Sequence, residues 1–348
     1  MTLRRLLVIR LSSIGDVVHT LPAVAALGRC FPETEIHWAI EQRYSTLLDG
    51  NPYVRRRVEF DTLGTRARAH RGQWVTGLIG MARRTREFQY DAALDFQGLI
   101  KTSLLARLSR SSARIGFAKR WLREPAAAIF YTDRVAPEGR RHVVDLNLAL
   151  AERLGATPEP WEFPLPKNAE DESLIEKRLE KLHGREFVIV NPGGGWKAKR
   201  WPPECYAALI ERLETEFPVK VFLTGSPAEE PLIRKILADA SSAKAEYFPS
   251  TLRQFIALAR RGRLFVGGDT GPMHLAAAVS TPIVAIFDAA DPLNTVERNG
   301  PFNAADITVT SSSRFQEVRR GKHLHYLNGV TVDAVLAAIR ERWKKAYG

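Results

Sequence analysis

A chain of 348 residues that is 45% hydrophobic and 26% charged has material for two ordinary domains, which excludes a disordered or fibrous protein. Two isolated cysteines, Cys30 and Cys205, exclude a disulfide framework and a zinc pattern, and no apolar run approaches the ~18 residues that span a bilayer. The formal net charge of +12 is uneven, with 25 basic and 17 acidic residues in 1–165 against 26 and 22 in the rest. Such an excess suits an anionic partner (nucleic acid, an anionic membrane surface or a phosphorylated substrate) or serves solubility alone.

The start, MTLRRLLVIRLSS, carries Arg10 inside its apolar run and no small-residue cleavage site follows, so residues 6–10 read as a first strand rather than a leader. A cytoplasmic protein is expected. A helical pattern covers 16–31. Strands are expected at 36–40, 57–60, 92–96 and 113–117, and a helix at 142–154. Residues 155–184 are less regular, and ATPEPWEFPLP carries four prolines, as an extended linker would. The second half begins again with strands at 187–191, 219–224, 264–268 and 283–287. Helical patterns lie between them at 203–217, 228–240, 252–261 and 273–279, and an amphipathic helix at 332–347 closes the chain. Strands alternating with helices predict an α/β fold of two Rossmann-like domains with parallel sheets. The expected boundaries are 1–165, 166–330 and a C-terminal helix at 331–348, with ligands taken at strand carboxyl ends in a central cleft.

Four loops carry candidate chemistry. In Leu11-Ser12-Ser13-Ile14-Gly15-Asp16, Gly15 permits a sharp turn and Asp16 stands at a helix start, as a cap or as a catalytic base. The roles compete, because bonds that hold a carboxylate ionised lower its basicity. Asn191-Pro192-Gly193-Gly194-Gly195-Trp196 allows close backbone approach to a ligand, and Lys199 behind it can neutralise a phosphate; it matches neither a Walker loop nor GxGxxG. In Gly267-Gly268-Asp269-Thr270-Gly271-Pro272-Met273-His274, Thr270, the Gly271 N–H and the following helix start suit a pyrophosphate; the plain alternative is capping by Asp269 and Thr270. An acid of Gly225-Ser226-Pro227-Ala228-Glu229-Glu230 suits ribose hydroxyls or simply favours a first helical turn. Residues 55–86 hold nine arginines against Glu59 and Asp61, and 110–141 hold eight basic residues against three acids. These read as grips for phosphate and carboxylate or as a solvated face. No HExxH, GxSxG or Asp-x-Asp occurs, so no metal site is expected.

With these residues in view the chain resembles the lipopolysaccharide heptosyltransferases of glycosyltransferase family 9, and is most similar to their heptosyltransferase I members. The likeness rests on LLVIRLSSIGDVVHTLPAV, on Asp95-Phe96-Gln97-Gly98-Leu99-Ile100-Lys101-Thr102-Ser103, on Arg123-Glu124-Pro125, on Lys199-Arg200-Trp201-Pro202 and on GGDTGPMHLAAA. The resemblance implies a GT-B fold and inverting transfer of heptose from ADP-heptose to the Kdo inner core of lipid A, without metal or cofactor. It implies Asp16 as the base and Lys199, Glu229, Asp269, Thr270, Gly271, Pro272, Met273 and His274 on the donor. It further implies Ser13, Arg66, Arg68, Lys101, Arg123 and His142 on an anionic lipid-linked saccharide acceptor. Peripheral contact with the cytoplasmic face of the inner membrane is compatible with it. Two departures lie on the donor side: Phe287-Asp288-Ala289-Ala290-Asp291-Pro292 lacks the family's Gly-Pro, and the 191–196 loop is richer in glycine. Two alternatives stand beside this reading. One is a transferase of the same fold using another nucleotide sugar or acceptor. The other is a non-enzymatic nucleic-acid binder, for which no recognition helix or RNA-binding motif speaks.

Overall fold

The computed structural model describes residues 3–61, 80, 83–194, 200–240, 244–287, 295–311 and 329–348. Internal contacts divide the chain into two compact units, Met1–Pro166 and Lys167–Gly348.

The first unit runs β1 (Arg5–Ile9), α1 (Ile14–Cys30), β2 (Glu35–Glu41), β3 (Val54–Phe60), β4 (Ala92–Asp95), α2 (Ile100–Leu108), β5 (Ala113–Phe117), β6 (Asp133–Val135) and α3 (Val143–Glu152). Its six strands are parallel in the order β3-β2-β1-β4-β5-β6. Leu6, Leu7, Val8 and Ile9 of β1 are all fully buried. An apolar run without alternation is what a strand covered on both faces requires.

The second unit runs α4 (Ala169–Leu179), β7 (Phe187–Asn191), α5 (Pro203–Glu216), β8 (Lys220–Leu223), α6 (Glu230–Asp239), β9 (Glu246–Tyr247), α7 (Leu252–Ala259), β10 (Leu264–Gly268), α8 (Gly271–Ala278), β11 (Ile283–Phe287), α9 (Val296–Asn299), β12 (Ile307–Thr310) and α10 (Val332–Tyr347). Its strands, also parallel, lie in the order β12-β11-β10-β7-β8-β9. Counted within each unit, both sheets follow the Rossmann order 3-2-1-4-5-6. The architecture is α/β of the GT-B kind. In each sheet the first and fourth strands lie side by side, and the loops after them flank the point where the strand order reverses. Ligands of such sheets bind there.

Some elements differ from the sequence reading. Helix α1 begins two residues earlier than expected, so Ser13 is its N-cap and Asp16 its third residue. The proline-rich stretch 156–166 holds no helix or strand, but the less regular stretch 155–184 also contains α4. Asn168 caps α4 by accepting the N–H groups of Glu170 and Asp171, and Glu170, Asp171 and Glu172 crowd the first turn while Lys177 and Arg178 close the last. Capping and helix-dipole charge support this helix, whereas only Asp171 and Ile175 are buried along it, so its apolar periodicity is faint. Helix α2 and the strands β6, β9 and β12 were not anticipated either. The last three are short edge strands with half-exposed side chains, which leave little apolar signal.

Helix α10 belongs to the second unit. It packs on α5, β11 and β12, Trp343 meets the Phe217 ring at 5.1 Å, and Arg342 donates to buried Asp306 at 2.8 Å. Among the described residues no helix is long and apolar enough to cross a membrane.

Candidate active site

In the first unit the loop after β1 carries Asp16 on the first turn of α1. Arg10, one residue past β1, is 7% exposed. Its guanidinium donates to the Phe96 carbonyl through Nη1 and to Asp16 Oδ1 through Nη2. On the other side, Ser13 N and Oγ donate to Asp16 Oδ2 at 2.9 and 3.0 Å. A carboxylate offers about four acceptor positions. The described residues use three, which leaves one on Oδ1, and the Asp16 side chain keeps 39% of its exposure. Burial pushes this carboxyl up, but the Arg10 charge and the Ser13 bonds outweigh it and hold the group below the usual carboxylate range. Asp16 is therefore ionised at neutral pH and keeps an oxygen that can receive a proton.

The loop after β4 buttresses this arrangement. Asp95 is fully buried and accepts from Gln97 N at 2.9 Å, Gly98 N at 3.1 Å and the Tyr131 hydroxyl at 2.8 Å. That turn needs Gly98, whose φ is +67°. Gln97 Oε1 then accepts the Leu11 N–H at 2.8 Å. Arg10 and Gln97 thus join the two loops flanking the first sheet's reversal point.

The second unit places three loops at the corresponding ends of β7, β8 and β10. Asn191, 2% exposed, ends β7 and donates to the Thr224 carbonyl at 2.8 Å. Glu229 joins the β7 and β8 loops. Its Oε1 accepts the Gly194 N–H at 2.9 Å, and its Oε2 accepts Ser226 N and Oγ, both at 2.8 Å. Arg200 Nε and Nη2 fasten the Gly194 carbonyl at 3.1 and 2.9 Å. After β10, Thr270 occupies the N-cap of α8 but makes no cap bond, and its hydroxyl is buried with no hydrogen-bond partner among the described residues. Asp269 pairs instead with His274 Nε2 at 3.2 Å. The first N–H groups of a helix lack intrahelical partners, so Gly271 presents a donor beside that hydroxyl, while Pro272 has none to leave unsatisfied. Unsatisfied donors at a helix N-terminus form an anion site.

Comparison with known proteins identifies the family and the fold. The model of glycosyltransferase family 9 (heptosyltransferase) matches residues 79–326. The chain belongs to that family. Lipopolysaccharide heptosyltransferase 1 of Pseudomonas aeruginosa is 29% identical over 83% of this chain and 79% of its own. Among solved structures, a family 9 glycosyl transferase from Veillonella parvula superposes with a TM-score of 0.83 at 20% identity, covering 98% of each chain. The E. coli heptosyltransferase WaaC, solved with ADP, gives 0.76 at 23% identity over 97% of this chain and 99% of that one. The same enzyme solved with ADP-2-deoxy-2-fluoro heptose gives 0.74.

The family 9 enzyme's remaining candidate residues are disposed as follows. Lys199, Arg66 and Arg68 lie outside the described residues. Asp16 is not an N-cap; Ser13 holds that position and turns its hydroxyl onto Asp16. Thr270 stands where a cap would, yet its hydroxyl makes no cap bond. Met273 is fully buried, backbone included. Lys101 is the second residue of α2, where a cation opposes the helix dipole, a local conflict typical of functional positions. Arg123 is exposed close by, because its neighbour Glu124 accepts the Ile100 N–H at 2.7 Å. His142 is the N-cap of α3, accepting Val144 N at 3.2 Å, and its ring stacks on Trp161 at 6.0 Å. Two residues of the site escaped the sequence reading as site residues, Arg10 and Gln97. The signal for Arg10 was an arginine ending a fully apolar strand, since a buried guanidinium requires acceptors. Gln97 gave no such signal.

Proposed function

We propose that this enzyme transfers heptose from ADP-heptose to the Kdo residue of a lipid A inner core, with inversion at the sugar carbon. The observation that carries the donor half is the buried Thr270 hydroxyl, without a hydrogen-bond partner among the described residues, at the N-terminus of α8. Those donors suit a diphosphate, and the WaaC structure with ADP-2-deoxy-2-fluoro heptose supports ADP-heptose as the donor. Lys199, from the segment that follows β7 in the sequence, adds a positive charge. As the bond between sugar and diphosphate opens, the α8 N-terminus and Lys199 stabilise the charge gathering on the leaving ADP. No step of this reading calls for a metal or a cofactor.

Asp16 serves as the base. Its free Oδ1 position accepts the proton of the acceptor hydroxyl as that oxygen attacks the sugar carbon. A positioned base contributes ~100- to 10,000-fold. Lys101, Arg123 and the first unit's excess of arginine suit a phosphate- and carboxylate-rich acceptor, and the relatives named for lipopolysaccharide support its nature. Peripheral contact at the cytoplasmic face of the inner membrane belongs to the same reading.

The test is ADP release with ADP-heptose and a Kdo-bearing lipid A acceptor, for wild type beside Asp16→Asn. The expected outcome is release that depends on the acceptor and falls at least 100-fold in the variant. No release from wild type, with turnover of another nucleotide sugar in a donor panel, would overturn the donor assignment. Near-wild-type turnover by Asp16→Asn would overturn the base.

A further inference from the structure

We infer that Arg10 is a positioning residue for the transfer, fixing both the rotamer and the ionised state of Asp16 so that the free lone pair of Oδ1 meets the acceptor hydroxyl. The inference rests on reading Asp16 as the base. It goes beyond that reading by assigning a role to a residue that touches neither substrate.

The argument is geometric. The guanidinium is buried and anchored on a main-chain carbonyl, that of Phe96, before it reaches Asp16. Its Nε is buried with no partner among the described residues. A buried cation left with an unpartnered N–H is costly, and a structural role alone gives no reason for that orientation. Among the described residues Nη1 holds the Phe96 carbonyl and Nη2 reaches Asp16 Oδ1, so the anchored guanidinium fixes where that oxygen sits. Ser13 holds Oδ2 from the opposite side, so neither oxygen can rotate away. Asp16 thus has one open acceptor position instead of several.

The other groups around Asp16 do not replace this charge. From the 3-10 turn Gln42–Leu48, Tyr44 lies within electrostatic reach of Asp16, with the Arg43 guanidinium 4.4 Å over its ring and Glu41 beside it. Gln97, from the β4 loop, is neutral and bonds to Leu11. On α1 itself the Thr20 hydroxyl donates to the Asp16 carbonyl, not to its carboxylate. Arg10 is the cation bonded to the carboxylate. In the transfer step the acceptor O–H bond breaks, its proton passes to Oδ1, and the freed electron pair forms the new bond to the sugar carbon as that carbon's bond to the diphosphate breaks and its electron pair leaves on ADP. The Arg10 charge then favours return of that proton to solvent, restoring the carboxylate.

The test uses the full enzyme with Arg10→Met, Arg10→Gln and Arg10→Lys. Two quantities are measured: titration of the Asp16 carboxyl carbon by NMR, and the acid limb of kcat/KM against pH. In Arg10→Met we expect the Asp16 titration and the acid limb to rise together by at least about one pH unit, with plateau kcat down at least about 10-fold and donor KM unchanged. Arg10→Gln keeps a donor for the Phe96 carbonyl and should show the same shifts, so it carries the test if Arg10→Met does not fold. Arg10→Lys keeps the charge without the fork; its titration should stay near wild type while its kcat falls. An unchanged Asp16 titration in a folded, uncharged variant overturns the inference. A titration that moves while the acid limb stays fixed upholds the Arg10–Asp16 coupling and overturns Asp16 as the base.

Discussion

Glu229 spans the two loops that precede α5 and α6, taking the Gly194 N–H on one oxygen and Ser226 on the other. The carboxylate assigned to ribose thus also sets the glycine loop, and a Cβ on Gly193 would collide with it. Glu229→Gln presents an amide NH2 to groups that are themselves donors. The variant should lose about 1–2 kcal/mol of stability and bind ADP more weakly. Calorimetric titration with ADP beside a thermal melt checks this, and weakened binding at unchanged Tm would show that the carboxylate serves the ligand alone.

Thr270 offers the opposite case. Its hydroxyl satisfies nothing among the described residues, so Thr270→Val removes an unsatisfied group in exchange for a methyl. Stability should hold or rise by up to about 1 kcal/mol. Donor KM should rise about 10- to 100-fold, the worth of one hydrogen bond to a charged phosphate. A fall in Tm on this substitution would mean that the hydroxyl is bonded in the free enzyme.

Gly267 pairs with Asn191 across the centre of the second sheet. A Cβ there would lie 2.7 Å from the Asn191 carbonyl oxygen and 3.1 Å from the Phe265 ring. Neither a main-chain oxygen nor a fully buried ring can give way. Gly267→Ala should cost about 1–3 kcal/mol, read as a lower urea midpoint at constant m-value.

Acid should act on the second unit through Glu172, which accepts from Arg260 at 2.8 Å and from Arg261. Burial pushes this carboxyl up, but the two arginines more than offset it and its net shift is downward. A depressed carboxyl stabilises the fold above its unfolded value of ~4.3, and that stability drains as pH falls through the folded value. Glu172→Gln should therefore melt lower at pH 7, by about 1–3 kcal/mol, and its Tm should decline less steeply below about pH 4.5. Parallel Tm-against-pH curves for the two proteins would contradict this.

The central strands were legible because β1, β7, β10 and β11 are unbroken apolar runs bounded by glycine, proline or charge. The edge strands β6, β9 and β12 were not, since a strand of two to four half-exposed residues carries no periodicity. Candidate loops could be found by their glycines and helix-start residues, but not the bonds inside them. Asp16 read as an aspartate at a helix start whichever role it filled. That Ser13 is the cap and Arg10 the counter-charge depends on where the strand ends and which carbonyl faces it. Gln97 was illegible for a related reason, since its partner Leu11 lies 86 residues away and is a backbone N–H, which every residue has.

Arg10 and Gln97 have a mechanical consequence. The loop bearing Asp16 and the loop leading into α2 are cross-linked by Arg10 on the Phe96 carbonyl and by Gln97 on Leu11 and Ser12. Lys101 rides on the first turn of α2, and the Ile100–Glu124 bond ties that turn to the segment carrying Arg123. The first unit's carboxylate and its two cations are therefore ganged like parts on one bracket. A load applied at either cation is transmitted to Asp16 as a displacement of the whole assembly, not absorbed by a flexible joint.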